Sequence, residues 1–244
     1  MARPERGSRD GSTGPAPTLA VTAASEPPLR ISEIFTSVQG EGPSVGTPSV
    51  FVRLQGCDVG CAWCDTKYSW DARRGQAMTL DAVLDRVKEA ATANVVVTGG
   101  EPLEHAAFGP LVTAVKAMGL RVEVESAGTE LPPDVPVDQW NISLKLAHSG
   151  VPAARRLRPE AIERFRHLGA WFKFVVADER DVDEVLALQT RYGLPSERIV
   201  LMPLGMRHSE QETLMPRVIE WCRRHGFRFS PRLHILVWGP RRGV

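Results

Sequence analysis

The sequence predicts an α/β fold: an incomplete, TIM-like parallel barrel of about six βα units. Short β-branched, apolar runs alternate with segments of helical periodicity from Ile31 onward. Glycine-rich loops follow several of those runs, as expected where a site sits at the C-terminal ends of parallel strands. The units fill roughly 215 residues, short of the roughly 250 typical of a closed eight-unit barrel. No internal repeat is present, which disfavours a solenoid or propeller.

The elements follow in order. Ile34–Val38 reads as a strand and Gln39-Gly40-Glu41-Gly42-Pro43 as a Gly-rich turn able to bring backbone close to a ligand. Ser49–Leu54 is the next strand. Thr79 caps a helix with Leu80, Val83, Leu84, Val87 and Ala91 on one face. Asn94–Thr98 has the composition of a strand buried on both faces, and it runs into Gly99-Gly100-Glu101-Pro102. A helix to about Met118, stopped by Gly119, leads to the strand Arg121–Glu125, and Trp140–Leu144 is a further strand. Pro159 opens a helix that Gly169 closes, before the strand Trp171–Val176. Asp181 with Glu184 is expected to cap a helix ending at Gly193, and Arg198–Met202 follows as a strand. Ser209 with Glu212 predicts another capping box, on a helix whose one face holds Leu214, Val218, Trp221, Cys222 and His225. Leu233–Trp238 reads as a last strand.

With 244 residues and 43% hydrophobic content, the chain can form one sizeable core, and one domain is expected over residues 29–244. Residues 1–28 are rich in Ala, Gly, Pro, Ser, Thr and charge, and a disordered tail without chemistry is expected there. Thr18–Ala24 is too short and too modestly apolar for a secretory signal, and nothing reads as a membrane span. A net charge of +1 shows no global bias towards nucleic acid or anionic membrane. Four cysteines, three of them crowded, do not form a disulfide framework and suit a reducing, cytoplasmic setting.

Those three crowded cysteines carry the chemistry. Arg53-Leu54-Gln55-Gly56-Cys57-Asp58-Val59-Gly60-Cys61-Ala62-Trp63-Cys64-Asp65-Thr66 leaves the C-terminal end of a strand with Cys57, Cys61 and Cys64 in one loop. Three thiolates can share one iron–sulfur cluster and leave one iron open to an outside ligand. Zinc competes as an occupant, although structural zinc needs four closed ligands and no second knuckle is present. Three ordinary core cysteines are the remaining alternative. Cys222 lies on an apolar helix face and reads as a core thiol.

The cysteine spacing with an aromatic before the last cysteine, followed by Gly99-Gly100-Glu101-Pro102 after a hydrophobic strand, resembles the radical S-adenosylmethionine (SAM) superfamily. A narrower resemblance covers nearly all of residues 31–244. Phe35–Gly42, Phe51–Leu54, Cys64-Asp65-Thr66, Thr98–Leu103 and Arg232-Leu233-His234-Ile235 together resemble the 7-carboxy-7-deazaguanine synthase family. That resemblance implies ring contraction of 6-carboxy-5,6,7,8-tetrahydropterin to a 7-deazaguanine with loss of ammonia, on the route to queuosine. It implies a [4Fe-4S] cluster, SAM and Mg²⁺ as cofactors, a homodimer, and an electron donor such as flavodoxin, with neither nucleic acid nor membrane as a partner. Matched by motif, Cys57, Cys61 and Cys64 would ligate the cluster. Trp63, Cys64, Asp65 and Gly100 would border SAM, together with Ser143-Leu144-Lys145, where the family often has Ser-Pro-Lys, and Met202-Pro203. Val38, Gln39, Gly40, Arg53 and Thr98 match substrate positions, and Thr66 matches the magnesium ligand.

Each assignment has a plainer counterpart. Arg53 could be a solvated strand-end charge, Thr66 a turn residue, His234 a core histidine, and Glu41 and Glu101 loop charges. Two other functions fit parts of the pattern. A cysteine-knuckle RNA-binding module would use Arg241-Arg242, and an activase for a glycyl-radical enzyme would not need the turn at Gln39–Gly42.

Overall fold

A computed structural model describes Met1 and residues 28–244; the expected disordered tail falls, but for its two end residues, outside the described residues. The chain runs β1 (Leu29–Val38), β2 (Pro48–Leu54), β3 (Gln76–Met78), α1 (Leu80–Glu89), β4 (Asn94–Gly99), α2 (Phe108–Ala117), β5 (Arg121–Ser126) and β6 (Gln139–Ser143). It continues with α3 (Ala153–Arg156), α4 (Pro159–His167), β7 (Trp171–Val176), α5 (Glu179–Tyr192), β8 (Ile199–Pro203), α6 (His208–His225), β9 (Arg228–Phe229) and α7 (Leu233–Trp238). The strands form one sheet in the order β3-β1-β2-β4-β5-β6-β7-β8-β9. From β2 to β9 every pairing is parallel, and β1 and β3 add an antiparallel ribbon at one edge. This open, largely parallel sheet is the incomplete barrel that the alternating pattern predicts.

Alternation along the parallel strands separates two environments. Val95 and Val97, Val122 and Val124, Trp140 and Ile142, Phe172 and Phe174, and Ile199 and Leu201 enter the main core together with helix residues such as Val83, Val112, Phe165 and Val185. The intervening positions Arg53, Thr98, Glu125, Ser143, Lys173 and Met202 line a cavity on the opposite face. The sheet therefore buries one face under helices and reserves the other for a site.

Several elements differ from the sequence reading. Leu233–Trp238 is a helix, not a strand. A six-residue apolar run does not distinguish the two, and Pro231, which has no N–H for a ladder, ends the pairing of the two-residue β9 just before it. The capping box of α5 is Asp178 with Asp181; Glu184 instead accepts the Ala147 N–H and pairs with Arg156 at 2.7 Å. On α6 the cap is one-sided: Arg207 donates its backbone N–H and its guanidinium to the Glu210 carboxylate, and Ser209 with Glu212 forms no capping box. Ala91 lies past the end of α1, exposed and at φ 51°. The short edge strands β3 and β9 carried too little pattern to be read.

Phe165 is fully buried and meets the Trp140 ring edge-on at 5.3 Å between centroids. Phe165→Ala is expected to cost about 3–5 kcal/mol, measured by urea unfolding; a loss under about 1 kcal/mol would show that α4 is not held by this contact.

Candidate active site

The cysteine loop starts where β2 ends, and the neighbouring chain fixes it by backbone hydrogen bonds. Gly56 N–H donates to Ser69 O at 2.8 Å, Cys57 N–H to Trp70 O at 3.1 Å, and Ala62 N–H to Ser149 O at 2.9 Å. The Gln55 side-chain amide donates to the carbonyls of Tyr68 and Asp71, both at 3.0 Å. Val59, Cys61, Ala127 and Val151 pack into a small apolar cluster, with Cys57 and Cys64 against it. All three cysteines line the cavity, whose volume is about 490 Å³.

The end of β4 presses on that loop. Gly100 N–H donates to Leu54 O at 3.2 Å and Glu101 N–H to Gly56 O at 2.8 Å. A Cβ at Gly100 would fall inside van der Waals contact of Gly56 O and Cys57 Cβ, so only glycine lets the two segments meet. Glu101 is not a loop charge: it is 2% exposed and accepts from Leu103 N–H, Ser126 Oγ and Ala127 N–H at 3.1, 2.8 and 2.6 Å. Burial raises its carboxyl despite those bonds.

A charged wall faces the loop across the cavity. Lys173, 1% exposed, lies 3.0 Å from Glu41 and 2.5 Å from Glu125. Glu41 also accepts from Arg232 Nε at 3.0 Å, and Arg232 bonds Asp65 beside the cysteine loop. Gln39 and Asn141 donate to the other oxygen of Glu125 at 3.2 and 3.1 Å. Burial alone would raise Glu41, but Lys173 and Arg232 outweigh it and hold the carboxyl well below its ordinary value. At Glu125 burial prevails over Lys173 and raises the carboxyl to about 7. Arg53 donates through Nε to Glu33 at 2.7 Å, and Tyr68 donates to the same oxygen at 2.6 Å.

The structure thus brings to one cavity Val38, Gln39, Gly40, Arg53, Thr98, Cys57, Cys61, Trp63, Cys64, Asp65, Thr66, Gly100, Ser143, Lys145 and Met202. It does not bring Leu144 or Pro203 there. Leu144 is 1% exposed in the helix-side core, as its alternate position after Ser143 requires, and buried Pro203 offers its carbonyl to Gln211. His234, also on the wall, lies 4.0 Å from Glu41, and burial lowers its imidazole pKa. Sequence reasoning missed Glu33, Glu125, Lys173 and Tyr68. A charged residue at alternate positions of an otherwise apolar strand, as in Trp171–Val176, was the available signal.

The donor set fits an iron–sulfur cluster. Burial raises the Cys57 thiol to about 11 and also raises Cys61, so ligation must displace protons and is coupled to pH. Among the described residues no three His, Cys, Asp or Glu side chains converge on one ion. A four-iron cluster takes each thiolate on a separate iron and does not require that convergence. Cys222 lies in the helix-side core, where its Sγ donates to Arg228 O at 3.3 Å. Trp63 Nε1 is buried without a partner among the described residues, which leaves one donor beside the cavity.

Fold and site together define a radical SAM protein, and the model of the Radical SAM superfamily matches residues 51–237. Curated relatives narrow the class. The chain is 41% identical to the 7-carboxy-7-deazaguanine synthase of Pyrobaculum aerophilum, over 89% of this chain and 98% of that protein. It is 31% identical to the synthase of Escherichia coli, over 84% and 96%. The crystal structure of QueE from Escherichia coli superposes with a TM-score of 0.70 at 28% identity, covering 84% of this chain and 94% of that one. Streptococcus suis SuiB, at a TM-score of 0.54 and 14% identity, shares the fold. The chain belongs to the 7-carboxy-7-deazaguanine synthase family. It is a radical SAM enzyme with an iron–sulfur cluster and SAM as cofactors, which sets aside the RNA-binding and activase readings.

Cys222→Ala should keep the iron content of the anaerobically reconstituted protein, whereas Cys61→Ala should lose most of it. Gly100→Ala should lower iron as well as SAM binding, because the added methyl displaces Cys57 itself. Iron per chain and SAM calorimetry check this; full iron in Gly100→Ala would show that the loop yields without disturbing its ligands.

Proposed function

We propose that the chain converts 6-carboxy-5,6,7,8-tetrahydropterin to 7-carboxy-7-deazaguanine by radical ring contraction with loss of ammonia. The observation that carries this reading is one cavity shared by the three thiols, the Gly100 approach and a wall of paired charges. When loaded and reduced, the cluster with SAM supplies hydrogen-atom abstraction from the substrate. The chain's own residues bind, orient and shield.

Cys57, Cys61 and Cys64 would hold the cluster, and Trp63, Asp65, Gly100, Ser143, Lys145 and Met202 would border SAM. Leu144 and Pro203 would act only through the backbone that carries their neighbours. Lys145 lies 5.6 Å from the centre of the Trp63 ring and donates to Ser143 Oγ at 2.9 Å, which supports a preformed edge for a carboxylate-bearing ligand. Arg53 suits the pterin carboxylate: Glu33 takes its Nε, while Nη1 makes only a 3.5 Å contact to Gly99 O, so donors remain for a bidentate partner. Val38, Gln39, Gly40 and Thr98 complete the substrate wall.

The reading includes Mg²⁺ at Thr66. Its Oγ1 lies 3.4 Å from Cys64 Sγ and the residue lines the cavity, which supports a hydroxyl oxygen within reach of a bound substrate. Mg²⁺ keeps several waters and needs few protein ligands when a substrate supplies oxygens. The reading also includes a single radical SAM core domain over residues 29–244 behind an N-terminal tail, a homodimer, and an electron donor such as flavodoxin. Four free cysteines support a cytoplasmic setting, and among the described residues no helix is long and apolar enough to cross a membrane.

Anaerobic reconstitution, reduction, and incubation with SAM and the carboxytetrahydropterin should yield the deazaguanine acid by mass spectrometry. SAM cleavage without that product would point to a different substrate. Turnover should rise with Mg²⁺, and Thr66→Ala should weaken that dependence while sparing iron content. Superimposable magnesium titrations for parent and variant would return Thr66 to a turn residue.

A further inference from the structure

Lys173 is the most deeply buried cation of the cavity, and the binding roles above make no use of it. Its ammonium group has three donors, and the side chain is almost wholly buried at the cavity wall. Two carboxylates from different parts of the chain meet it: Glu41 from the turn after β1, and Glu125 from β5. An ammonium at this depth is costly unless paired, and so is a carboxylate left there alone.

We propose that Lys173 is a positioning residue for the substrate. By bridging Glu41 and Glu125 it holds two carboxylates as neighbouring acceptors on the cavity wall, and so sets the affinity for the donor-rich edge of a bound amino-oxo-pyrimidine. This rests on the proposed pterin substrate.

Among the described residues, the surroundings assign the bridge to Lys173 alone. Arg232 reaches Glu41 and Asp65 but has no contact with Glu125. Gln39 and Asn141 donate to Glu125 as neutral amides and cannot balance its charge. Glu123, the next inward-facing carboxylate on β5, is committed to Arg121 at the far end of the strand. His234 stands 4.0 Å from Glu41, with an imidazole pKa lowered by burial. Among the described residues, the wall therefore sets Glu41, Glu125 and Asp65 against Lys173 and Arg232, and Glu125 is the carboxylate least compensated. Consistent with that placement, burial raises Glu125 to about 7, while Lys173 pulls in the opposite direction.

The test is calorimetry of the carboxytetrahydropterin binding to the reconstituted holoenzyme with SAM and no reductant, from pH 5.5 to 8.5. In the parent, affinity should rise with pH as Glu125 ionises, with the midpoint of the step at about 7. Lys173→Met removes the group that lowers Glu125, so the step should move up by at least about one pH unit and affinity at pH 7 should fall at least about fivefold. Lys173→Arg, which keeps the charge, should return the step to the parent position. If Lys173→Met misfolds, as judged by iron content and unfolding, the double variant with Glu125→Gln relieves the unpaired charge and should bind weakly with no step near pH 7. A Lys173→Met variant with the parent's affinity and pH profile would overturn the proposal, as would a double variant that keeps the step. A parent that binds SAM but no pterin would instead sink the substrate reading itself.

Discussion

The close approach of β4's end to the cysteine loop is the constraint from which the site follows. At Gly100 no side chain separates the two segments, and the amides of Gly100 and Glu101 bond the carbonyls of Leu54 and Gly56. Two motifs far apart in the sequence thereby become one structural unit. Glu101 extends the unit to β5 by accepting from Ser126 and Ala127, and burying a carboxylate there is tolerable because three donors meet it. Three strand ends are held together before any cofactor is considered.

The same sheet solves a second problem on its inner face. Among the described residues no helix layer covers that face of the partial barrel, and alternation there exposes Arg53, Glu125 and Lys173 to a cavity instead of a core. Bare charges at such depth would be unfavourable, so each is met by another: Arg53 by Glu33, and Lys173 by Glu41 and Glu125. Packing on the outer face carries stability, while pairing on the inner face carries specificity. The division lets polar residues interrupt the strands without loosening the core.

Local patterns made the fold and the cysteine loop legible. The β-branched runs, helix stops at glycine, and cysteine spacing are all contained within a few residues of one another. The charged wall was not legible, because its partners lie far apart: Lys173 and Glu41 are 132 residues distant in the chain. Leu144 and Pro203 show the complementary failure. Motif matching carried whole segments into the site, whereas strand alternation admits only every second side chain. Glu101 was ambiguous for a similar reason, since two of its three donors, Ser126 and Ala127, lie 25 and 26 residues further along the chain. Leu233–Trp238 had strand composition but no strand to pair with.

The helical form of Leu233–Trp238 bears on how an open barrel can enclose a substrate. The sheet stops at the two-residue β9, which leaves a gap between its edge and the turn after β1. A further strand would have closed that gap with a ladder of backbone bonds. The C-terminal segment closes it with side chains and single bonds instead. Ser230 Oγ accepts from Gly42 N–H at 2.8 Å, Leu233 N–H donates to Gly40 O at 2.9 Å, and Arg232 joins Glu41, Asp65 and Gly205 O. The helical turn of α7 then holds His234 close to Gly40, so that the wall consists of functional groups, whereas a ladder would have spent its backbone on pairing. Closure by Arg232 also couples the turn after β1 to the cysteine loop through Asp65, so the two halves of the site are positioned by one guanidinium.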